Sequence, residues 1–250
     1  MSDALLTYVL RLGDTALVTA QRMVERVADE PELEEELANA NFALDYIGQA
    51  RMLYTYAGEL EGKGADEDHF AFRRDAQAFR NLLIAEQPNG HFGDAIVRQF
   101  LFESFYVLLI EALAKSSDRR LAEIAARAEK EVRYHLRYAT QWLIRLGDGT
   151  DESHAKVQAS LDEYWRYTGE FFAGDDVDAA IRDEHAGPDL NAIAEQWREN
   201  VAAVLAEATL TAPEGVHMVD GGRAGLHGES FGFLVAEMQH LQRAHPGVTW

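Results

Sequence analysis

An acid and an imidazole interrupt an otherwise apolar face of a long helical segment near the middle of the chain. The face repeats at spacings of three and four residues through Ile124, Ala128, Glu131, His135, Tyr138 and Trp142. This spacing predicts a helix with one side turned towards the protein core. Because a buried carboxylate costs several kcal/mol unless a metal or a partner compensates it, the pattern predicts a compensating group opposite.

Helical periodicity continues along the whole chain, and no convincing alternating strand pattern interrupts it. The sequence therefore predicts an all-α fold. Its 250 residues, 47% of them hydrophobic, fit one domain spanning residues 1–250 with a full hydrophobic core. The predicted helices cover approximately residues 4–27, 29–60, 75–87, 92–115, 118–146, 153–172, 177–184, 190–207 and 228–244.

Two of these predicted helices are joined by the tight Ser116-Ser117 connection, which requires 92–115 and 118–146 to pack antiparallel. The segment from Thr211 to Leu226 is rich in glycine and is predicted to be irregular. Its glycines follow no strand and do not match a phosphate-binding pattern.

Composition excludes several functional classes. The formal net charge of -20 repels nucleic acid and anionic lipid. Cysteine is absent, which excludes disulfides and thiolate metal sites. The first residues lack the pattern of a signal peptide, and charged residues interrupt every apolar stretch before membrane-spanning length. We therefore expect a cytoplasmic protein that binds neither nucleic acid nor membrane.

Further carboxylates occupy inward positions on other predicted helices. Glu103 stands at the centre of the apolar stripe Ile96, Phe100, Val107, Ile110 and Ala114. Glu86 shares a predicted face with Phe79, Leu82 and Leu83, and Asp45 lies beside the apolar row Leu37, Ala40, Leu44 and Ile47. Four helices thus each direct a carboxylate inward or nearly so, which is typical of the ferritin-like bundle with a di-iron centre.

The ligand pattern of such a centre is incomplete. The first Glu-x-x-His is replaced by Glu86-Gln87-Pro88-Asn89, and the second by Val132-Arg133-Tyr134-His135. One motif lacks its imidazole and the other its carboxylate, although Glu131 shares a face with His135 at a spacing of four.

Two interpretations of these residues stay open. In the first, Asp45, Glu86, Asn89, Glu103, Glu131 and His135 form a polar core network without metal, with Arg51, Arg80, Arg98, Lys130 and Arg133 as candidate partners. In the second, Asp45, Glu86, Glu103, Glu131 and His135 form an unusual di-iron ligand set. The other histidines show no ligand spacing and are predicted to lie on the surface or to form hydrogen bonds.

Several strings carry a family resemblance over nearly the whole length. They are YVLRLGD at 8–14, LDYIGQAR at 44–51, NLLIAEQPNG at 81–90, YHLR at 134–137, RLGDGTD at 145–151 and AEMQHLQR at 236–243. With these strings the chain closely resembles the C-subunit family of the bacterial phenylacetyl-CoA 1,2-epoxidases.

The resemblance implies a ferritin-like bundle with additional C-terminal helices. It also implies a structural subunit without catalytic residues, metal or cofactor of its own, which pairs with a catalytic A subunit that carries the di-iron centre. A B subunit and a reductase with FAD and a 2Fe-2S cluster, supplied by NADPH, complete such a complex. Our leading hypothesis is therefore a non-catalytic subunit, and the alternatives are an active di-iron oxygenase and a free-standing helical binding protein.

Overall fold

The computed structural model describes residues 3–248, which contain helices but no β-strand. The α-helices are α1 (Asp3–Val24), α2 (Leu33–Glu61), α3 (Glu67–Phe72), α4 (Leu83–Glu86), α5 (Phe92–Leu113), α6 (Arg119–Gly147), α7 (Asp151–Tyr164), α8 (Asp176–His185), α9 (Leu190–Glu207) and α10 (Glu229–Ala244). Short 3-10 segments cover Ala76–Ala78, Trp165–Phe171 and Gly222–Ala224.

These elements form two compact units. The first unit contains the chain up to Pro88 together with the residues from Gly221 onward, and so holds α1 to α4 and α10. The second unit runs from Asn89 to Asp220 and holds α5 to α9. That residues 1–250 form a single domain stays a prediction.

In the first unit, α1 and α2 pack antiparallel. The Tyr54 hydroxyl donates to Asp14 at 2.6 Å, and the Asn39 side chain donates to the Met23 carbonyl at 2.7 Å, so residue numbers rise along one helix as they fall along the other. The largest fully buried side chains of this unit are Phe42, Tyr46, Tyr54, Phe79, Ile84 and Phe231.

In the second unit, α5 and α6 pack antiparallel, as the Ser116-Ser117 connection predicts. Contacts run in opposite directions along the two helices, from Glu111 with Arg133, through Glu103 with His135, to Phe92 with Trp142. The Asp118 carboxylate accepts from the Leu121 N–H and caps the start of α6. The predicted all-α, ferritin-like fold class is confirmed, and further helices follow α6.

The predicted helix over residues 75–87 is wrong. The chain forms a 3-10 turn at Ala76–Ala78, becomes extended at Phe79 and Leu82, and makes only one helical turn, α4. Tertiary hydrogen bonds explain the difference, because the Arg80 N–H donates to Asp14 and the Leu82 N–H donates to the Thr15 hydroxyl. These donors are satisfied by α1 and need no helix.

The apolar row on α2 faces solvent instead of the core. Leu37, Leu44 and Ile47 are exposed, whereas the opposite face, which includes Phe42, Tyr46 and Leu53, is buried. Apolar residues occupy two faces of α2, so periodicity identified a helix but selected the wrong face. The predicted helix over 153–172 also divides into α7 and the 3-10 segment Trp165–Phe171.

Candidate functional site

Glu86 ends the single turn α4 of the first unit, where only 1% of its surface is exposed. The Gly228 N–H donates to its Oε1 at 2.6 Å. The Asn81 amide donates to its Oε2 at 2.9 Å, and His227 Nδ1 lies 2.7 Å from the same oxygen. Both carboxylate oxygens are therefore occupied by nitrogen donors of this chain.

His227 has an acceptor beside each of its ring nitrogens. Nδ1 faces Glu86, and Nε2 lies 3.1 Å from the Phe79 carbonyl oxygen. Through these two contacts His227 joins the Glu86 carboxylate to the Phe79 carbonyl. The ring also stacks on Phe231 at 4.1 Å between centroids, which holds its orientation.

Arg22 binds the main chain of the same residue. Its Nε and Nη2 donate to the Glu86 carbonyl oxygen at 2.9 and 2.8 Å. The same side chain donates to both oxygens of Glu25 and to the Ser230 hydroxyl. Since the last carbonyls of a helix lack partners within the helix, Arg22 satisfies the end of α4 and links it to α1 and α10.

A second buried carboxylate of the first unit, Asp14, has its own set of donors. The Tyr54 hydroxyl donates to it at 2.6 Å and the Arg80 N–H at 2.7 Å. The Arg74 guanidinium forms a salt bridge with both oxygens of Asp14. Asp14 is fully buried, and these charged and neutral donors replace the water that it loses.

The environment of Asp14 changes the acidity of its neighbour Tyr54. Burial raises the pKa of the Tyr54 phenol well above its ordinary value, and the negative charge of Asp14 raises it further. The positive charge of Arg74 offsets part of this rise. Tyr54 therefore acts as a hydrogen-bond donor in the core of the first unit.

In the second unit, Glu103 of α5 and His135 of α6 are both fully buried, as their stripes predict. His135 Nδ1 lies 3.3 Å from Glu103 Oε1. Val132 stands one turn before His135 and is also fully buried, whereas Glu131 is half-buried at the edge of this face. The position of the missing motif carboxylate is thus filled by an apolar side chain.

The two remaining predicted positions are less buried. Asn89, in the second unit, is half-buried, and its side-chain oxygen accepts from Arg98 Nη2 at 2.7 Å. Asp45, in the first unit, is half-buried on the side of α2 next to the exposed apolar row. Neither residue has the full burial of Glu86, Glu103 and His135.

A ferritin-like metal centre needs several carboxylates and imidazoles around its ions. Among residues 3–248, no group of three or more such side chains is placed to hold a metal ion. At Glu86, Oε1 already accepts a hydrogen bond from Gly228 and Oε2 accepts one from Asn81. The donor set found within the described chain does not fit a metal centre.

The predicted cations have different partners, and of these Arg98 donates to Asn89 of the predicted network. Arg51 pairs with Glu67 at the surface, and Arg133 pairs with Glu111 and Glu129. Arg80 contributes its main-chain N–H to Asp14, while its guanidinium donates to main-chain carbonyls. The functional donors that sequence reasoning missed are Arg22, Arg74, Asn81, His227 and Gly228.

The sequence contains one indication of the Asp14 network, which is an acidic residue inside an apolar stretch. Asp14 stands within an apolar stretch of α1, between Leu12 and Leu17. However, residues 11–20 are buried on every side, so no polar face marked Asp14 as an inward exception. His227 had no comparable signal, because it lies in the irregular segment before α10.

No helix within residues 3–248 combines the length and apolar character needed to cross a bilayer.

Comparison with known proteins gives two matches that cover the chain. Residues 1–250 match the family described as "Phenylacetic acid catabolic protein". The Escherichia coli (strain K12) protein named as the C subunit of 1,2-phenylacetyl-CoA epoxidase is 47% identical over 248 residues, which represent 99% of this chain and 100% of that protein. The similarity therefore extends through both units.

Proposed function

The chain belongs to the family of phenylacetic acid catabolic proteins, and on that premise we propose that it is the non-catalytic structural subunit of a 1,2-phenylacetyl-CoA epoxidase. It acts in aerobic phenylacetate catabolism, in the cytoplasm. There it pairs with the catalytic A subunit, which carries the di-iron centre, and stabilises that subunit. A B subunit and an NADPH-dependent reductase with FAD and a 2Fe-2S cluster complete the assembly.

The observation that carries the non-catalytic role is the occupation of Glu86. A ligand carboxylate needs lone pairs directed at the metal. The oxygens of Glu86 instead accept from Gly228 and Asn81 and face His227. In the second unit, Val132 occupies the place of a motif carboxylate. Both features favour a polar core that maintains the fold over a core that binds iron.

The chemistry of this chain is accordingly that of a scaffold. The Glu86 and Asp14 clusters satisfy buried charges within the first unit and connect α1, α4 and α10. A well-satisfied polar cluster rigidifies its surroundings and specifies one packing arrangement. A partner subunit would then meet a preformed surface and lose little entropy on association.

The alternative function is an active di-iron oxygenase with an unusual ligand set. One observation favours it, since Glu103 and His135 are fully buried, face each other and offer an oxygen and a nitrogen that iron accepts. Under this alternative, Asp45, Glu86 and Glu131 complete the set.

Reconstitution distinguishes these functions. The chain is co-expressed with its A subunit, and the pair is combined with the B subunit and reductase to measure epoxide formed from phenylacetyl-CoA. We expect the soluble yield of the A subunit to rise with the chain present. The purified chain, incubated with ferrous iron and desalted, should retain none at a stoichiometric level. About two irons per chain would instead establish the alternative.

A conservative variant of the second unit provides the sharper control. Glu103→Gln with His135→Gln keeps the size and polarity of both side chains. A structural role predicts unchanged turnover per assembled complex, whereas a catalytic role predicts loss of turnover with assembly intact. A stable monomer with no affinity for the A subunit would support the free-standing binding protein and exclude the scaffold.

A further inference from the structure

Helix α2 has an apolar face that the other described elements of the first unit leave uncovered. Its large side chains remain exposed, with 65% of Leu33, 58% of Leu37, 64% of Leu44 and 37% of Ile47 accessible to solvent. The row formed by these four residues and the half-buried Ala40 is named the α2 stripe. Contiguous exposed apolar surface of this kind marks interaction sites in folded proteins.

The spacing of the α2 stripe matches a helical partner. Its members follow one another at intervals of four, three, four and three residues. This alternation is the a/d pattern of helix pairs that pack along their length. The stripe extends about 21 Å at 1.5 Å per residue, which corresponds to four turns of contact with one partner helix.

Gly48 continues the same surface and gives an independent indication of close approach. A glycine in the middle of a helix destabilises it relative to alanine. A Cβ atom added to Gly48 would meet no atom of the described residues within 4 Å, so packing within this part of the chain does not require a glycine there. A partner backbone that approaches α2 at this point would require the absence of a side chain.

The charges beside the α2 stripe indicate which kind of helix can bind there. Glu34 and Glu36 flank it, Arg51 at its far end is paired with Glu67 at 3.1 Å, and the whole chain carries a net charge of -20. Flanking charges determine which helices pair. A second copy of this chain would bring acidic flanks against acidic flanks, whereas a helix with lysine and arginine flanks would be attracted.

We propose that the α2 stripe, with Gly48, is the docking surface for an apolar helix of the catalytic A subunit whose flanks are basic. This assignment rests on the proposed function, which supplies the partner. Leu37 and Leu44 occupy the centre of the contact, and Gly48 admits the partner backbone.

The test uses the full-length chain and purified A subunit. The double variant Leu37→Lys with Leu44→Lys places two positive charges at the centre of the surface. These lysines replace apolar contacts and repel the basic flanks of the partner helix. Its matched control is Leu241→Lys on α10, where 53% of a leucine is exposed outside the α2 stripe. We expect the double variant to weaken binding by roughly 100-fold or more and the control to bind as the original chain does. Circular dichroism and melting temperature confirm that both variants fold.

Gly48→Ala is a second test variant, and it is expected to leave the fold of the chain intact. Because alanine favours helix, we expect its melting temperature to rise by roughly 2 °C. We also expect it to bind the A subunit about tenfold more weakly, because its methyl group occupies the contact. Greater stability with unchanged binding would remove the argument from Gly48 and contradict the proposed approach of the partner backbone.

The outcomes separate this surface from the function on which it rests. If the double variant binds the A subunit as tightly as the original chain, the docking surface is wrong and the scaffold function stands. If the original chain itself does not bind, the scaffold function fails and the surface loses its partner. Sedimentation of the chain alone gives the third outcome, in which a dimer dispersed by the double variant identifies a second copy as the occupant and overturns the proposal.

Discussion

Glu86 in the first unit and Glu103 in the second are both buried carboxylates near a histidine, but their partners come from different distances along the chain. Glu103 meets His135 across two adjacent antiparallel helices at 3.3 Å. Glu86 meets His227 at 2.7 Å, although 141 residues separate them in sequence. The difference teaches that an inward acid on a long helix meets a histidine of the neighbouring helix, whereas an acid on one helical turn depends on distant irregular segments.

The largest expected effect tests the Glu86 side of this comparison. Glu86→Ala removes the carboxylate that Gly228, Asn81 and His227 contact, and leaves these buried groups without that partner. We expect it to lower the free energy of unfolding by about 4 kcal/mol, as measured by urea denaturation followed by circular dichroism. Glu86→Gln serves as the control and should cost less, because it keeps an acceptor for the Gly228 N–H.

A double-mutant cycle with Glu86→Gln and His227→Gln isolates the contact between these two side chains. The coupling free energy should reach about 2 kcal/mol. A coupling near zero would show that the contact between the two side chains does not stabilise the first unit.

Glu103→Ala tests the other side and is expected to have a smaller effect. It deprives His135 of a buried partner, but the contact that it removes is longer than those of Glu86. We expect a loss of about 2 kcal/mol in the free energy of unfolding, measured by the same denaturation experiment. Unchanged stability accompanied by loss of epoxidase activity in the reconstituted complex would contradict a structural role for Glu103.

The third buried acid, Asp14, is tested through the ionisation of its neighbour Tyr54. Burial and the charge of Asp14 raise its pKa, so the folded chain keeps the phenol protonated where an unfolded chain ionises it. The contribution of Tyr54 to the free energy of unfolding is therefore fully present below about pH 10, the pKa of an unfolded tyrosine. It is lost as the pH rises from there through the higher pKa of Tyr54 in the folded chain.

Phenolate absorbance during an alkaline titration checks this expectation. The folded chain and its Tyr54→Phe variant should ionise the same number of tyrosines until unfolding begins. At neutral pH the variant should lose about 1.5 kcal/mol, because the hydrogen bond to Asp14 is absent. An additional tyrosine that ionises in the folded original chain would contradict the burial of this phenol.

The smallest effect is expected at Asp45. This residue is half-buried on α2, and alanine is a better helix former than aspartate. Asp45→Ala should change the free energy of unfolding by less than about 0.5 kcal/mol, measured beside Glu86→Ala under identical conditions. A loss comparable to that of Glu86→Ala would show that Asp45 belongs to the buried polar core after all.

The sequence allowed the prediction of most long helices and of the buried pair Glu103 and His135. On α6, polar residues alternate with apolar ones at helical spacing, so the inward face is distinct. On α2, apolar residues occupy two faces, and spacing alone could not decide which face enters the core. The outward face, with Leu37 and Leu44, was chosen wrongly for this reason.

Over residues 75–87, local spacing was misleading for a different reason. Phe79, Leu82 and Leu83 are separated as in a helix and are all buried, but the backbone between them is largely extended. Their main-chain donors find Asp14 and Thr15 on α1. Hydrogen bonds to a distant element compete with the helix, and a local pattern contains no information about them.

The sequence by itself determined that the chain is helical, that Glu103 and His135 lie on inward faces, and that the ligand motifs of a di-iron centre are incomplete. These properties follow from side-chain periodicity and from residue identity, which are local. Only the tertiary structure decided that Glu86 is held by Asn81, His227 and Gly228, and that one apolar face of α2 remains uncovered. Both depend on which distant segments meet, because burial and hydrogen-bond satisfaction are properties of the folded chain as a whole.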